Sequence, residues 1–434
     1  MPEYQEVKNH PFTTEIKKRA SFIIRMLGWC RYSDRALYRA QEMLIKELIS
    51  VEDGIKYNRS EQSKIKEKAA KLVHQAKKEK GALSTKDKEE QKNAQIEAEV
   101  FQESIQALKF GRWLFRYIAD GIAWRVYSFE RRWIRALGGK EPVPFMSDVE
   151  GIDPEINFFR ALRKLKRSWL PLMHDLTNCI RTHDYSIFSN GQLIHIVELK
   201  IRKSSQSHNK SISYKPKGRE ARQINRMENI FHFIETGDMR QLYPELPNGK
   251  AINSSAPQIH NYKAISKAIR SVRKRRNGFE EPEDGVLYLA WDLNKSTADE
   301  AILAASKKHP HIFNSVFTFR SINPRYDAYH LSLPITAMDL PVKDILDILF
   351  SKVAVICVVN YFALEAQCNK NGIPLYIEQD GDKNTIFRVK SETFDGQVLD
   401  GLWDRVMLEG LSLQAFMGLL KSIMSHEFHA DSKT

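Results

Sequence analysis

The chain has 434 residues, 28% of them charged and 42% hydrophobic, with a net charge of +13. That balance excludes a disordered chain, a collagen and a disulfide miniprotein, and predicts two to three domains with real cores. The longest apolar run, Val353 to Leu364, falls far short of the roughly 20 residues that span a bilayer.

In chain order, residues 1–145 read as a helical region. Phe22, Ile23, Met26 and Leu27 recur at helical spacing, as do Leu37, Ala40, Met43, Leu44 and Leu48. Residues 59–100 are rich in Lys, Glu, Gln and Ala, the texture of a long charged hairpin broken near Gly81 to Thr85. An aromatic helical stretch follows over 108–137, closed by Gly138-Gly139 and two prolines. Residues 155–170 predict a basic helix ending before Pro171. The period then changes: two short strands over 183–202 flank Ser189-Asn190-Gly191, a hairpin signal. A polar basic loop (202–218) leads to a helix over 219–235 with Ile224, Met227, Phe231 and Ile234 on one face. Residues 262–276 are strongly basic. Beyond Pro282 the pattern predicts strands at Val286–Trp291 and Ile312–Phe319, and mostly helix over Val342–Leu364. A hairpin is expected around Tyr376 and Phe387–Val389, and a last helix over Leu411–Ile423.

Charge is unevenly spread along this order. Residues 151–280 hold 24 Lys/Arg against 11 Asp/Glu, an excess equal to that of the whole chain, whereas residues 281–434 hold 14 against 21. A field this localised points to a polyanion such as nucleic acid. The expected domains are therefore 1–145 helical, 146–280 basic and 281–434 acidic, within an α/β (α+β overall) fold class. The amino end, Met-Pro-Glu-Tyr-Gln-Glu, lacks the apolar core of a signal peptide. Cys30, Cys179, Cys357 and Cys368 form no CxxC pair, so a reducing, cytoplasmic setting without structural zinc is expected.

The chemistry is carried by His183-Asp184-Tyr185-Ser186-Ile187-Phe188, the Ser189-Asn190-Gly191 turn, and Gln192 to Lys200. Alternation along a strand puts Glu198 and Lys200 on one face. Charges at the end of an apolar strand cost energy unless paired, solvated or metal-bound. A two-residue Asn190-Gly191 turn sets Asp184 opposite Val197, on the wrong face. A three-residue loop ending at Gly191 sets it opposite Ile196, on the face of Glu198, and is the register chosen; a bulge in the first strand has the same effect. Two carboxylates and a carbonyl make a hard oxygen site suited to Mg²⁺ or Mn²⁺, which polarises a phosphoryl oxygen and acidifies water. A neighbouring lysine orients that water or stabilises developing charge.

An Asp opening one strand, then Glu-x-Lys ending the next, resembles the PD-(D/E)xK (restriction-endonuclease-like) nuclease superfamily, with His183-Asp184 standing where that pattern has Pro-Asp. The triplet alone carries little, since it also occurs at Glu6, Glu15 and Glu90. The resemblance covers roughly residues 155–240. It implies an α-β-β-β-α-β core, a Mg²⁺-dependent deoxyribonuclease, and catalytic roles for Asp184, Glu198 and Lys200. Gln223, with Arg222 and Arg226, stands where many members carry a Gln or basic residue that positions DNA. Asp175 either joins or replaces Asp184 at the metal, or caps the local turn; both roles stay open. Arg181 is placed to contact the scissile phosphate.

Two basic sets have spacing suited to a phosphate backbone: Arg160 to Arg167, and Lys263, Lys267, Arg270, Arg273, Lys274, Arg275 and Arg276. The second is favoured for DNA. Each is otherwise a solvated face, as is the charged hairpin. By analogy alone, such nucleases with unfamiliar flanking domains sit in prokaryotic anti-phage defence. The acidic third is a candidate for ligand sensing, partner binding or DNA mimicry, and a homo-oligomer is left open. A non-catalytic nucleic-acid-binding or regulatory protein with the same fold is the rival. There is no GxxxxGK[ST], and the histidines of His426-Glu427-Phe428-His429 are three apart where a helical zinc-protease motif needs four.

Overall fold

In the computed structural model the described residues are 9–78, 84–138, 145–146, 152–199, 218–243, 257–324, 332–379, 385–391, 395–398 and 400–430. The chain is mixed α+β, with a helical amino-terminal region and three small antiparallel sheets. It divides into two compact units. One joins Met1–Phe129 with Gly138–Ser205, and the other joins Glu130–Leu137 with Gln206–Thr434. The expected boundaries at 145 and 280 fall inside these units, because the composition shift marks surface charge rather than chain topology.

In the first unit, His10 Nδ1 accepts from the Phe12 N–H and Pro11 occupies the first turn, starting α1 (Pro11–Trp29). The expected hairpin is α2 (Asp34–Lys78) and α3 (Thr85–Val126); its tip, 79–83, lies outside the described residues. A Ser84–Asp87 capping box starts α3. Ile16, Ile23, Leu44, Leu48, Leu108, Phe115 and Ile122 are buried where these helices pack. A Cβ on Gly111 would lie 2.6 Å from Ile16 Cδ1, so α1 and α3 approach only because that position has none. The aromatic stretch is not one helix: Ser128 and Phe129 take φ of 51° and 61° and end α3.

After α4 (Arg131–Leu137), which belongs to the second unit, α5 (Ile152–Leu165) stops earlier than expected. Pro171 does not follow a helix but lies in a strand the sequence pattern did not reveal, β1 (Trp169–Met173). It joins β2 (Tyr185–Ser189) and β3 (Gln192–Val197) in an antiparallel sheet of order β1-β2-β3. Proline is tolerated because β1 is an edge. Gln41 covers that edge: its Nε2 donates to Pro171 O at 3.0 Å and its Oε1 accepts from Met173 N at 3.0 Å.

In the second unit, α6 (Arg219–Thr236) buries Ile230 and Phe233, while Ile224 and Phe231 are exposed. The inward stripe is therefore rotated from the expected face. A basic amphipathic helix, α7 (Tyr262–Val272), buries Ile265, Ala268, Ile269 and Val272. It packs on β4 (Asn277–Glu283) and β5 (Val286–Asp292). After α8 (Ala298–Lys308), Pro310 starts a single helical turn, α9 (Pro310–Phe313), so the strand expected from Ile312 begins only at β6 (Phe317–Ser321). The expected helix over 342–364 is in fact α10 (Val342–Leu349), β7 (Val353–Asn360) and α11 (Tyr361–Lys370). Every residue of β7 is buried, so its unbroken apolar run has no period to distinguish strand from helix. These strands form a sheet of order β4-β5-β7-β6. The expected hairpin is β8 (Leu375–Gln379) and β9 (Thr385–Lys390), joined by β10 (Asp395–Val398). The chain ends in α12 (Asp400–Glu409) and α13 (Leu413–Ala430). No helix among the described residues is long and apolar enough to cross a membrane.

Candidate active site

The β2–β3 register differs from the one expected for Asp184 and Glu198. Ser189 pairs with Gln192, so the turn has two residues, and Asn190 and Gly191 take φ of 52° and 75°. That is the left-handed pair a tight hairpin requires. The pairing then slips: Phe188 faces Leu193, but Ile187 faces His195, which leaves Ile194 as an extra residue in the second strand. Beyond this bulge Tyr185 pairs with Val197. The ladder ends at that pair, with Asp184 just before β2 and Glu198 just after β3. The three-residue loop is thus incorrect; the turn has two residues, and the parity of the paired residues changes at the bulge in β3.

Main-chain bonds hold Asp184 in the middle of the sheet. Its N–H donates to Val197 O at 3.0 Å, and its carbonyl accepts from His174 N at 2.9 Å. Its Oδ2 accepts from the Leu199 N–H at 2.5 Å, closing the end of β3 onto β2. His183, just before it, takes φ of 63°. Proline cannot adopt that conformation, so the His183-Asp184 departure from Pro-Asp is built into the backbone here.

A carboxylate that sequence reasoning did not single out joins the pair. Glu155, at the start of α5, is 8% exposed. Its Oε2 is buried without a hydrogen-bond partner among the described residues. Burial, reinforced by the charges of Asp175, Asp184 and Glu198, pushes its carboxyl up to about 8. Asp175 is likewise raised, by burial first, with Arg116 opposing and Glu198 adding to the shift. Tyr185 ties the helix to the sheet, its hydroxyl donating to Glu155 O at 2.8 Å. Four carboxyl groups, from a helix, a turn and the residues flanking two strands, therefore share one field. The missed signal is Asp153-Pro154-Glu155 opening a helix just before the strands.

Buried polar groups on α2 and α3 hold the 174–180 turn beneath this cluster. Arg116 Nη1 donates to Asp175 O at 2.5 Å and to Thr177 O at 3.3 Å. Its Nη2 pairs with the fully buried Glu52 at 3.3 Å, and burial draws the guanidinium down to about 10. Asp120 accepts from Asn178 N at 2.6 Å, Asn178 Nδ2 at 3.0 Å and Cys179 N at 2.9 Å. His174 is a core histidine: Nδ1 bonds Thr182 O at 2.6 Å, and Nε2 bonds Ser186 Oγ at 2.8 Å, which in turn meets the Tyr127 hydroxyl at 2.5 Å. Burial lowers its imidazole to about 4, so it is neutral near pH 7.

The other expected residues are placed as follows. Arg181 lies within the electrostatic reach of Asp175. Lys200 lies outside the described residues, as does the basic loop over 202–217. Arg222, Gln223 and Arg226 lie on α6, in the second unit rather than in the unit of Asp184. Lys263, Arg270, Lys274 and Arg275 are exposed on or just after α7. Arg273 is drawn off that surface, donating to Asp344 at 2.5 Å and Asp347 at 2.8 Å. β3 is an edge strand with Gln192, Ile194 and His195 exposed, so its apolar residues are not buried on both faces as expected.

The donor set is all oxygen, which fits Mg²⁺ or Mn²⁺, and Mg²⁺ is usually held by one or two carboxylates and water. Asp184 and Glu198 suffice for that. Among the described residues, however, the only three candidate ligands whose atoms lie within 4.8 Å of one another are Glu281, His309 and His311, in the second unit. Asp175, Asp184 and Glu198 do not close to that spacing as a trio. Comparisons with protein-family models, curated proteins and solved structures find no match to this chain.

Proposed function

We propose that this chain is a metal-dependent nuclease of the PD-(D/E)xK type that hydrolyses DNA phosphodiester bonds. The observation that supports the reading is the gathering of Asp184 and Glu198 at the end of a bulged hairpin, where their charges and that of Asp175 act on the buried Glu155. Support from the fold is limited to the α5-β1-β2-β3 order; α6 and β4, which would complete an α-β-β-β-α-β core, lie in the other unit, and β4 pairs within another sheet. Asp184 and Glu198 would hold Mg²⁺ or Mn²⁺, which when bound supplies a Lewis acid for the phosphoryl oxygen and an acidified water. In this reading Lys200 orients the attacking water and Arg181 contacts the scissile phosphate. Asp175 is an accessory ligand. A role in prokaryotic defence against foreign DNA rests on fold-level analogy alone.

The test is incubation of the whole chain with plasmid DNA and Mg²⁺ or Mn²⁺. Cleavage that disappears in Glu198→Ala and Lys200→Ala supports the reading. DNA binding without cleavage under every metal condition would instead support a catalytically inactive nucleic-acid-binding protein. That alternative draws on the failure of the three carboxylates to close to ligand spacing.

A further inference from the structure

A cleft of about 750 Å³ in the first unit is lined by Arg35, Arg39, Arg160, Arg163, Lys164 and Arg167, with Tyr38 and Glu42. Six cations and one acid share one concavity. Its two walls come from the start of α2 and the end of α5, more than a hundred residues apart in the chain. A single basic helix face needs no explanation beyond solubility. Two separate elements folded so that their cations surround one cavity accumulate like-charge repulsion, which an anion entering the cavity would relieve.

Local structure keeps the cleft basic. Arg163 is fixed, donating to Arg167 O and, at 2.8 Å, to Trp169 O, with its guanidinium 5.7 Å from the Tyr38 ring. Tyr38 stacks on Phe159 at 4.8 Å, giving the wall a rigid aromatic floor. Glu42, the one acid, interacts with the Tyr38 hydroxyl. Among the described residues none of Arg35, Arg39, Arg160, Lys164 and Arg167 takes part in an ion pair.

The same helix carries the acidic cluster. Glu155 and Arg163 are eight positions apart on α5, about 12 Å along its axis at 1.5 Å per residue, the span of about two nucleotides. We infer that this cleft seats the phosphodiester backbone of nucleic acid beside the carboxylates, so that Arg35 and Arg39 of the helical region belong to the substrate-binding surface. The inference rests on the nuclease reading for the identity of the strand, but its binding step needs no metal.

The experiment measures anisotropy of a fluorescent 20-nucleotide DNA, single-stranded and duplex, against the full chain in EDTA over a salt series. The cleft variants are Arg35→Glu/Arg39→Glu and Arg160→Glu/Lys164→Glu. Lys66→Glu/Lys68→Glu, on the exposed hairpin, makes the same change in net charge elsewhere. The cleft variants are expected to weaken binding at least about tenfold and to flatten the slope of log K against log salt by about two, with the control close to wild type. Equal losses in cleft and control variants would overturn the inference, as would unchanged binding in cleft variants whose circular dichroism and melting temperature match wild type. A nucleoside triphosphate or inorganic phosphate that raises the melting temperature, in a protein that fails to bind either DNA, also overturns it and assigns the cleft to a free phosphate ligand. Plasmid cleavage with Mg²⁺ or Mn²⁺ separates the two readings. A wild-type chain that binds through the cleft but never cleaves sinks the nuclease and spares the cleft, and cleavage that is lost in Glu198→Gln but undiminished by the cleft variants does the reverse.

Discussion

Glu155→Gln is the substitution that most directly probes the acidic cluster. The carboxyl sits at about 8 against an ordinary 4.5, because burial and then the Asp175, Asp184 and Glu198 charges disfavour its ionised form. The folded chain therefore holds a proton there that the unfolded chain releases. The stability associated with that proton is complete below about pH 4.5 and declines as pH rises toward 8. At pH 7 the unfolded state has gained about 2.5 pH units of ionisation, at most about 3 kcal/mol at 1.36 kcal/mol per unit. A neutral isostere avoids this cost. Glu155→Gln should be more stable than wild type at pH 7, by up to about 3 kcal/mol in urea denaturation, and should show a flatter stability profile between pH 5 and 8. Millimolar Mg²⁺ should stabilise wild type more than the variant at pH 7, since a cation offsets the same repulsion. A variant no more stable than wild type at pH 7, with an unchanged pH profile, would refute the idea that these four carboxyl groups share one field.

Three further outcomes follow from buried contacts. Arg116→Met strands Glu52, which is fully buried, and removes the donors to Asp175 O and Thr177 O. A loss of about 3–5 kcal/mol is expected in urea denaturation, and a loss below about 1 kcal/mol would show that Arg112 alone satisfies Glu52. Gly278→Ala puts a Cβ 2.1 Å from Ala268 O where α7 crosses β4. The carbonyl is backbone and the Cβ is fixed directly to it, so neither can swing aside, and about 3 kcal/mol of destabilisation is expected in the same assay. Glu281 is pushed up by burial, but its bonds to His311 and His309 outweigh this and hold it below its ordinary range. Its contribution is present above about pH 4.5 and fades as pH falls through the lowered value. Acid-unfolding curves should therefore be shallower below pH 5 in Glu281→Gln, and superimposable curves would show that the trio adds nothing.

The elements that were readable from sequence are those with a period and punctuation. The α2–α3 hairpin shows helical spacing and a break near Gly81 to Thr85, and the β2–β3 hairpin has Asn190-Gly191 between apolar runs. Elements without such a signal were missed. β1 is five residues long and contains a proline, which argues against a strand until Gln41, from a helix more than a hundred positions earlier, is seen to complete its edge. β7 is apolar throughout because both faces are covered, and periodicity cannot tell it from a buried helix. Composition placed a boundary at 280, where the chain instead continues through β4 into its partner β5.

The acidic site shows how far a parity argument depends on the ladder it assumes. Facing of Asp184 and Glu198 depends on the parity of residues between them. Turn length sets that parity only if the ladder is unbroken. Here a two-residue turn and the extra Ile194 combine to give the parity of a three-residue loop. Nothing in Leu193-Ile194-His195 marks a bulge, since any of the three can be the extra residue. Glu155 escaped for a different reason: a Glu in the first turn of a helix is ordinary, favoured there by the helix dipole. Only the fold reveals that this one points inward, toward three other carboxyl groups, on a helix whose far end lines a cleft of cations. An acid at one end of α5 and four cations from Arg160 to Arg167 toward the other read as a solvated charged helix in one dimension. With Asp184 and Glu198 at one end and Arg35 and Arg39 at the other, the same residues become a gradient of charge along one rigid element. Under the proposed nuclease reading, a phosphate chain would be gripped at the basic end with its scissile bond at the acidic one.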